Sequence, residues 1–400
     1  MLNVVSIESA KKIIKDHISP NSTVEYVDLK NALGRILAQD IISNEDVPSF
    51  NRSTVDGYAV ISSDTYGCSE AIPAMLDIVG EIYMGEGADI DIKNNQCVKI
   101  STGGMLPKSA DAVVMLEYTE NELENLCLCT KAVSPFENVV CKGADVSKND
   151  ILIKKDTIIS ASQIGILSAL GIYNVAVKKV ITVGIISTGD ELVEASKELT
   201  VGKIRDINTY LLNSCCKTIN CNTILYGIIK DNYSSILEVV KKASEECDVV
   251  LISGGSSAGT KDVTVNVINE LGASYFHGVA MKPGKPSIFG TVNNKAVFGL
   301  PGHPLAAFFV FEKLVKYAVS RMNNTKYPIH QAERKISANI SSNNGREDFV
   351  CVKIIDDEFA EPILAKSGII SVLNNSDGYI TIPRNAEGVN ANEKVRITLL

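Results

Sequence analysis

The chain has 400 residues, of which 45% are apolar and 22% charged. At about 100–200 residues per domain this length implies two to four domains, and the composition excludes disordered and fibrous architectures. A net charge of −8, no Trp and 6% aromatic residues argue against non-specific nucleic-acid binding and against a base-stacking platform.

In chain order, the first expected element is an amphipathic helix within Met1–Pro20, with Ile7, Ala10, Ile13, Ile14 and Ile18 on one stripe and Ser6 as its cap. Lys11, Lys12, Lys15 and Asp16 interrupt it, so it has no signal-peptide apolar core. Short strands are expected at Met75–Tyr83, Gln96–Ile100, Ala112–Leu116 and Leu126–Thr130. Gly85-Glu86-Gly87, Asn94-Asn95 and Gly103-Gly104 punctuate them, which is the texture of a β-rich domain. The longest uncharged run, Thr157–Val177, contains Thr157, Ser160, Ser162, Gln163, Ser168 and Asn174. It reads as a buried helix ending in a turn at Gly171 rather than as a membrane span. Ten cysteines contain no CxxC pair, the closest spacings being Cys127-x-Cys129 and Cys215-Cys216, and the 4 histidines form no ligand-like cluster. Reduced, buried thiols in a cytoplasmic protein are the expectation.

Near Lys178 the texture changes. Apolar strands are expected at Val180–Ser187, Thr223–Ile229, Asp248–Ser253 and Ala296–Leu300. Helices alternate with them at Asp206–Thr218, Tyr233–Glu246 and Val263–Leu271, and a long helix opens at a proline over Pro304–Met322. Alternation of this kind, with wholly apolar strands, implies a parallel sheet covered on both faces. Beyond Asn323 the chain returns to short alternating strands at Arg334–Ile340, Phe349–Ile355, Gly378–Pro383 and Lys394–Leu399, which suits a small C-terminal β domain.

Three of the apolar strands run into polar, glycine-rich turns: Ser187-Thr188-Gly189-Asp190-Glu191, Ser253-Gly254-Gly255-Ser256-Ser257-Ala258-Gly259, and Leu300-Pro301-Gly302-His303-Pro304. In an open α/β sheet the crevice beyond the carboxyl ends of the strands is the usual ligand site. Glycine there lets the backbone approach a ligand closely and offers N–H groups to phosphate at the following helix. Asp190, Glu191, Asp206, Asp231 and Asp262 accompany these turns. Carboxylates beside phosphate loops suit Mg²⁺, and acids at such positions also serve as helix caps, so both roles stay open.

Between Lys282 and Arg346 the only acids are Glu312 and Glu333, giving a basic stretch within an acidic chain. Lys282 and Lys285 sit in Met281-Lys-Pro-Gly-Lys-Pro286, where two prolines restrict the backbone. A constrained ammonium pair suits a compact oxyanion.

These residues carry a family resemblance. Asn51-Arg-Ser-Thr-Val-Asp-Gly-Tyr-Ala-Val60 resembles the S-x-x-D-G-Y-A signature of the molybdopterin molybdenumtransferases, the family that includes the gephyrin E domain. Ser101-Thr-Gly-Gly-Met-Leu-Pro107 with Ala110-Asp-Ala-Val-Val114, the three loops above with Asp262, Met281–Pro286, Gly345-Arg-Glu-Asp-Phe349 and the Ser367-Gly pair follow in the family's order. The resemblance runs from about residue 6 to the C-terminus.

The resemblance implies an elongated, multidomain α/β plus β homodimer. A discontinuous N-terminal linker and dimerisation domain would comprise residues 1–45 and 143–177, with a β-rich insert at 46–142. A three-layer α/β molybdopterin-binding domain with a mostly parallel sheet would follow at 178–326, then a small β-barrel at 327–400. The implied reaction joins molybdate to adenylylated molybdopterin, releases AMP and gives molybdenum cofactor, with Mg²⁺ or another divalent cation. The family pattern implies molybdate near Lys282, Lys285, Arg346, Ser367 and His303, with charge-assisted hydrogen bonds to the anion. It implies catalytic roles for Asp56, Thr102, Glu191, Asp231 and Asp262, with Glu191 and Asp262 on the metal. Thr188, Gly189, Gly254, Gly255, Ser256, Gly259, Pro301 and Gly302 would form the nucleotide and pterin phosphate loops. Molybdopterin adenylyltransferase and molybdoenzyme maturation proteins are the implied protein partners, in the cytoplasm, with no nucleic acid and no membrane.

The chain departs from the family in two places: His303 stands where Asn is usual, and Ala306 where Ser is common. Two other functions compete. A molybdopterin adenylyltransferase-like enzyme would leave Asp56 and Arg346 without a role. A non-catalytic, gephyrin-like scaffold would not need Lys282, Lys285, Glu191 and Asp262 together.

Overall fold

A computed structural model describes residues 4–123, 125–254, 258–364 and 368–400, without the side chains of 121–123 and 258–262. The chain forms two compact units. One contains the residues up to Tyr26, Gly34–Ala38 and Ala176–Leu400, and the other Val27–Leu33 and Gln39–Val175.

The second unit is built on a six-stranded sheet in the order Ala112–Met115, Gly57–Val60, Gln96–Ile100, Ala74–Ile82, Leu126–Cys129, Thr119–Leu123. The expected strands all appear, to within a residue at each end. Side-chain alternation sends Tyr58, Val60, Leu76, Cys97, Cys127 and Cys129 to one core and Ala59, Val98, Ile100 and Val113 to the other. Both faces are covered, so all four residues of Gly57–Val60 are buried. Helix α2 (Ala161–Ala169) corrects the expectation for Thr157–Val177. It is shorter, Leu167 is its one buried residue, and the chain turns at Gly171 into a strand at Asn174–Lys178. The uncharged run is apolar enough for burial but lacks the one-sided periodicity that would bury a helix face here.

In the first unit, helix α1 (Ile7–His17) starts at Ser6, whose hydroxyl accepts the Ser9 N–H at 3.1 Å, and buries Ile7, Ala10 and Ile14. The central sheet has the order Asn222–Ile229, Thr182–Thr188, Val249–Gly254, Lys295–Leu300, Ile288–Val292, Gly272–His277. Its first four strands are parallel, as expected. The last two are antiparallel additions that the sequence reading missed. Helices α3 (Asn208–Thr218), α6 (Pro304–Val310) and α7 (Lys316–Met322) cover one face together with α1. Helices α4 (Tyr233–Glu246) and α5 (Ala258–Leu271) cover the other. The expected single helix Pro304–Met322 is continuous but contains a π-helical turn at Phe311–Val315 between α6 and α7.

The remaining strands close into a small barrel, in the order Glu347–Ile354, Phe359–Pro362, Gln331–Ile336, Lys394–Leu399, Gly378–Ile382 and back to Glu347–Ile354. Ile336, Val352, Ala360, Ile380, Ile382 and Ile397 fill it. Closure leaves the barrel no free strand edge. All ten cysteines are free thiols, and no helix among the described residues is long and apolar enough to cross a membrane.

Candidate functional site

Parallel pairing brings the strand ends, and hence the glycine-rich turns, to one edge of the sheet. Thr188 lies opposite Gly254, and Ser253 opposite Leu300. At Gly254 φ is +150°, and a Cβ would stand 2.1 Å from the Thr188 carbonyl oxygen, so a side chain is excluded. Gly302 joins the same corner, where a Cβ would stand 3.8 Å from the Gly254 Cα. Thr188, Gly189, Gly254, Pro301 and Gly302 are thus gathered as the sequence implied. Gly255 and Ser256 lie outside the described residues. Helix α5 begins at Ala258, which moves Gly259 from the expected loop onto a first helical turn and puts Asp262 on the same helix. The Asp262 side chain lies outside the description.

Asn208, absent from the sequence-derived set, holds this corner together. It is 7% exposed, and its Nδ2 donates to Ser253 Oγ at 2.7 Å and to the Gly302 carbonyl at 2.8 Å. The beginning of α3 is therefore bonded to two of the three loops. Asp206, one of the open carboxylates, proves to be a structural cap: its oxygens accept the Thr209 N–H at 3.1 Å and the Thr209 hydroxyl at 2.5 Å. Thr209 is also within 2.8 Å of Ser187 Oγ, which anchors the first strand.

An acidic group occupies the other side of the edge. The Asp231 N–H lies 3.4 Å from Asp190 Oδ1, and Asp231 Oδ1 is buried without a hydrogen-bond partner. Glu191 folds back over Gly189, where a Cβ would meet its Oε2 at 2.7 Å. Burial raises the Asp231 pKa above the ordinary carboxylate value, and the charges of Asp190 and Glu191 raise it further. Among the described residues no three ligating side chains converge at metal-holding geometry. The donors are nevertheless hard carboxylate oxygens, repelling one another around an orphaned buried acceptor, which is the chemistry a hard divalent cation satisfies.

The cationic corner is assembled by a short strand pair. Met281–Lys282 runs parallel to Glu347–Ile354, placing Lys282 opposite Asp348. Asp348 is 2% exposed, with Lys282 Nζ at 3.4 Å and Arg346 Nε at 3.2 Å from its two oxygens. One buried carboxylate thus holds two of the implied anion ligands, a role the sequence reading did not give it. Gly284 (φ +117°) seats the turn against α6, where a Cβ would stand 2.9 Å from Val310 Cγ2. Lys285 lies exposed in this turn. His303, the N-cap residue of α6, approaches the segment after Ser367: a Cβ on Gly368 would be 3.9 Å from its ring. Ser367 itself lies outside the described residues.

Asp56 and Thr102 meet in the second unit. Asp56 Oδ1 accepts the Thr102 N–H at 2.7 Å and its hydroxyl at 3.1 Å. Gly57 lets this turn close, since a Cβ there would lie 2.0 Å from the Val114 carbonyl oxygen.

The fold and this edge define a class: multidomain proteins whose three-layer α/β domain gathers phosphate-type loops, acids and a cationic turn beside a small barrel. Residues 5–171 match the model of the MoeA N-terminal region (domain I and II), 184–321 that of the probable molybdopterin-binding domain, and 333–400 that of the MoeA C-terminal region (domain IV). A molybdopterin biosynthesis protein of Methanocaldococcus jannaschii is 39% identical over 100% of this chain and 98% of its own. The molybdopterin molybdenumtransferase of Staphylococcus epidermidis is 31% identical over 98% and 94%. The crystal structure of a molybdopterin biosynthesis MoeA protein from Pyrococcus horikoshii superposes with a TM-score of 0.89 at 37% identity, covering 99% of both chains. This chain belongs to the molybdopterin molybdenumtransferase (MoeA) family.

Proposed function

We propose that the chain is a transferase of molybdenum cofactor biosynthesis that joins molybdate to adenylylated molybdopterin and releases AMP. The observation that carries this reading is the pairing of Met281–Lys282 with the barrel strand, which sets Lys282 and Arg346 around one buried Asp348. Two cations fixed in place, with Lys285 in the same turn, suit a compact doubly charged oxyanion. Lys282, Lys285, Arg346, Ser367 and His303 bind molybdate. Thr188, Gly189, Gly254, Gly255, Ser256, Gly259, Pro301 and Gly302 receive the phosphates and pterin, and Asn208 keeps the loop ends in register. Glu191 and Asp262 would hold Mg²⁺ or another divalent cation, which when bound supplies charge neutralisation at the phosphate to be cleaved. Asp231, already costly to ionise, gains its charge most easily when a cation is present. Incubation with adenylylated molybdopterin, Mg²⁺ and molybdate should release AMP. Release no faster than in the protein-free control overturns the reading.

The remaining implications belong to the same proposal: four domains with the limits given above, a homodimer, a cytoplasmic setting, and molybdopterin adenylyltransferase and maturation proteins as partners. Asp56 and Thr102 then complete the site of the second chain of the dimer. Supporting this is their mutual bonding on an exposed turn of the insert, which presents them as one unit. Mixing Asp56→Ala chains with Glu191→Ala chains should restore about one working site per hybrid dimer. Hybrids that form but recover nothing above either parent contradict a composite site.

A further inference from the structure

A cavity of about 800 Å³ lies elsewhere in the first unit, between the helical face and the barrel. Its walls come from α1, α3, the α6–α7 helix, the segment after it, and barrel strands Gly378–Ile382 and Lys394–Leu399. None of the residues assigned above to molybdate, phosphate or metal lines it.

Its charge is one-sided. Lys11, Lys313, Lys316 and Lys326 line it, against a single acidic side chain, Glu312. Glu312 is already engaged by Lys316 at 3.0 Å. Lys313 has no carboxylate within ion-pair distance among the described residues. Its ammonium donates to the Tyr379 hydroxyl at 3.0 Å and lies over the rings of Tyr379 and Phe349, 4.5 and 4.6 Å from their centroids. Lys11 likewise sits 5.6 Å over the Tyr317 ring, with no carboxylate at ion-pair distance among the described residues. Glu312 and Glu347 act on Lys313, and Glu347 on Lys11, only at longer range, so two ammonium groups set on ring faces are incompletely compensated. Burial, followed by the charge of Lys11, pushes the Lys313 pKa down to about 8.

Apolar and aromatic residues make up most of the rest of the lining, with Ser, Thr, His and Gln side chains among them. Phe308, Tyr317, Tyr327 and Tyr379 supply rings, and the Tyr327 hydroxyl is buried without a hydrogen bond. The π-helical turn contributes both Glu312 and Lys313, and such turns recur at binding sites. A volume of this size falls within the range of small-molecule pockets.

We propose that this cavity is a second ligand site, for a small organic anion with an aromatic or heteroaromatic ring bearing a phosphate or carboxylate. The anionic group would meet Lys11 and Lys313, and the ring would lie among the aromatic side chains. The barrel connects this site to the first, because Phe349 under Lys313 follows Asp348 on the strand Glu347–Ile354, which Arg346 immediately precedes.

Pyridoxal 5′-phosphate tests the assignment on the whole chain. It carries the ring and the phosphate, and its aldehyde condenses with an unprotonated lysine, losing water, to an imine that borohydride reduces to a stable secondary amine. Peptide mapping should find Lys313 modified about tenfold or more faster than exposed lysines, in keeping with its larger neutral fraction. Pyridoxal without the phosphate should react there about tenfold more slowly, and phenyl phosphate should protect. Lys11→Gln, on the surface of α1, should weaken the probe about threefold to tenfold without changing the melting temperature. Lys313→Met should abolish modification of this peptide. Modification confined to Lys282 or Lys285, or spread evenly over exposed lysines, overturns the proposal, as does a rate at Lys313 that is indifferent to phosphate.

Discussion

The acidic and the cationic corners of the candidate site are built on opposite principles. Asp190, Glu191 and Asp231 repel one another, and Asp231 Oδ1 is buried with nothing to accept from. Lys282 and Arg346 are instead compensated in advance by Asp348. The first arrangement stores a demand for positive charge that only a ligand meets. The second fixes its cations in the folded chain around one buried carboxylate, with Lys282 half-exposed and Arg346 about a third exposed. A site that must neutralise a phosphate and also seat an oxyanion needs both kinds.

The largest effect should come from breaking the acidic corner. Glu191→Ala, or Asp262→Ala, should lower cation-dependent AMP release by about a hundredfold or more, because on the proposed reading each removes a metal ligand together with its charge. Next comes Lys285→Ala, expected to weaken molybdate by about 1.5–3 kcal/mol, the scale of a hydrogen bond to a charged group, as read by calorimetric titration. Asp348→Ala sharpens the contrast through stability. Removing the shared carboxylate leaves two partly exposed cations without it, so the loss should be about 1–3 kcal/mol, seen as a lowered denaturant midpoint.

Asp231→Asn should do the reverse. A carboxyl with a raised folded pKa contributes stability while it stays protonated. That contribution is present below the unfolded value and disappears as pH rises through the folded one. At pH 7 without divalent cation the variant should therefore melt about 1–3 °C higher than the parent, and the gain should vanish near pH 3, where both are neutral. The smallest effect is expected at Ala306, which is buried near the start of α6. Ala306→Ser returns a hydroxyl common in the family and should tighten molybdate by about threefold, roughly half the free energy of a typical net hydrogen bond.

The two corners were not equally legible in the sequence. The acids announced themselves because apolar strands lead directly into Asp190, Glu191 and Asp231, and parallel strands deliver their ends to one edge. Lys282, Lys285 and Arg346 stood out through the prolines around them and the family motif. Asn208 carried no such signal, and the Gly345–Phe349 motif that contains Asp348 gave no hint of its role, since both roles arise from long-range contacts, a two-residue strand pair and a bond between α3 and Gly302. The same reason hid the antiparallel strands Gly272–His277 and Ile288–Val292. Their apolar residues look like continuations of the α/β pattern, and only pairing distinguishes them. Absence of charge in Thr157–Val177 does not distinguish a short, mostly unburied helix from a buried one. The π-helical turn at Phe311–Val315 had no cue in the sequence, since buried residues keep a spacing of three and four through it, as in an uninterrupted α-helix.

Molybdate affinity, measured by titration in the absence of nucleotide, tests most directly whether the two corners work as separate halves. The account predicts that Glu191→Ala binds molybdate within about twofold of the parent, while Lys285→Ala binds it about tenfold to a hundredfold more weakly. Equal losses in the two variants would contradict it.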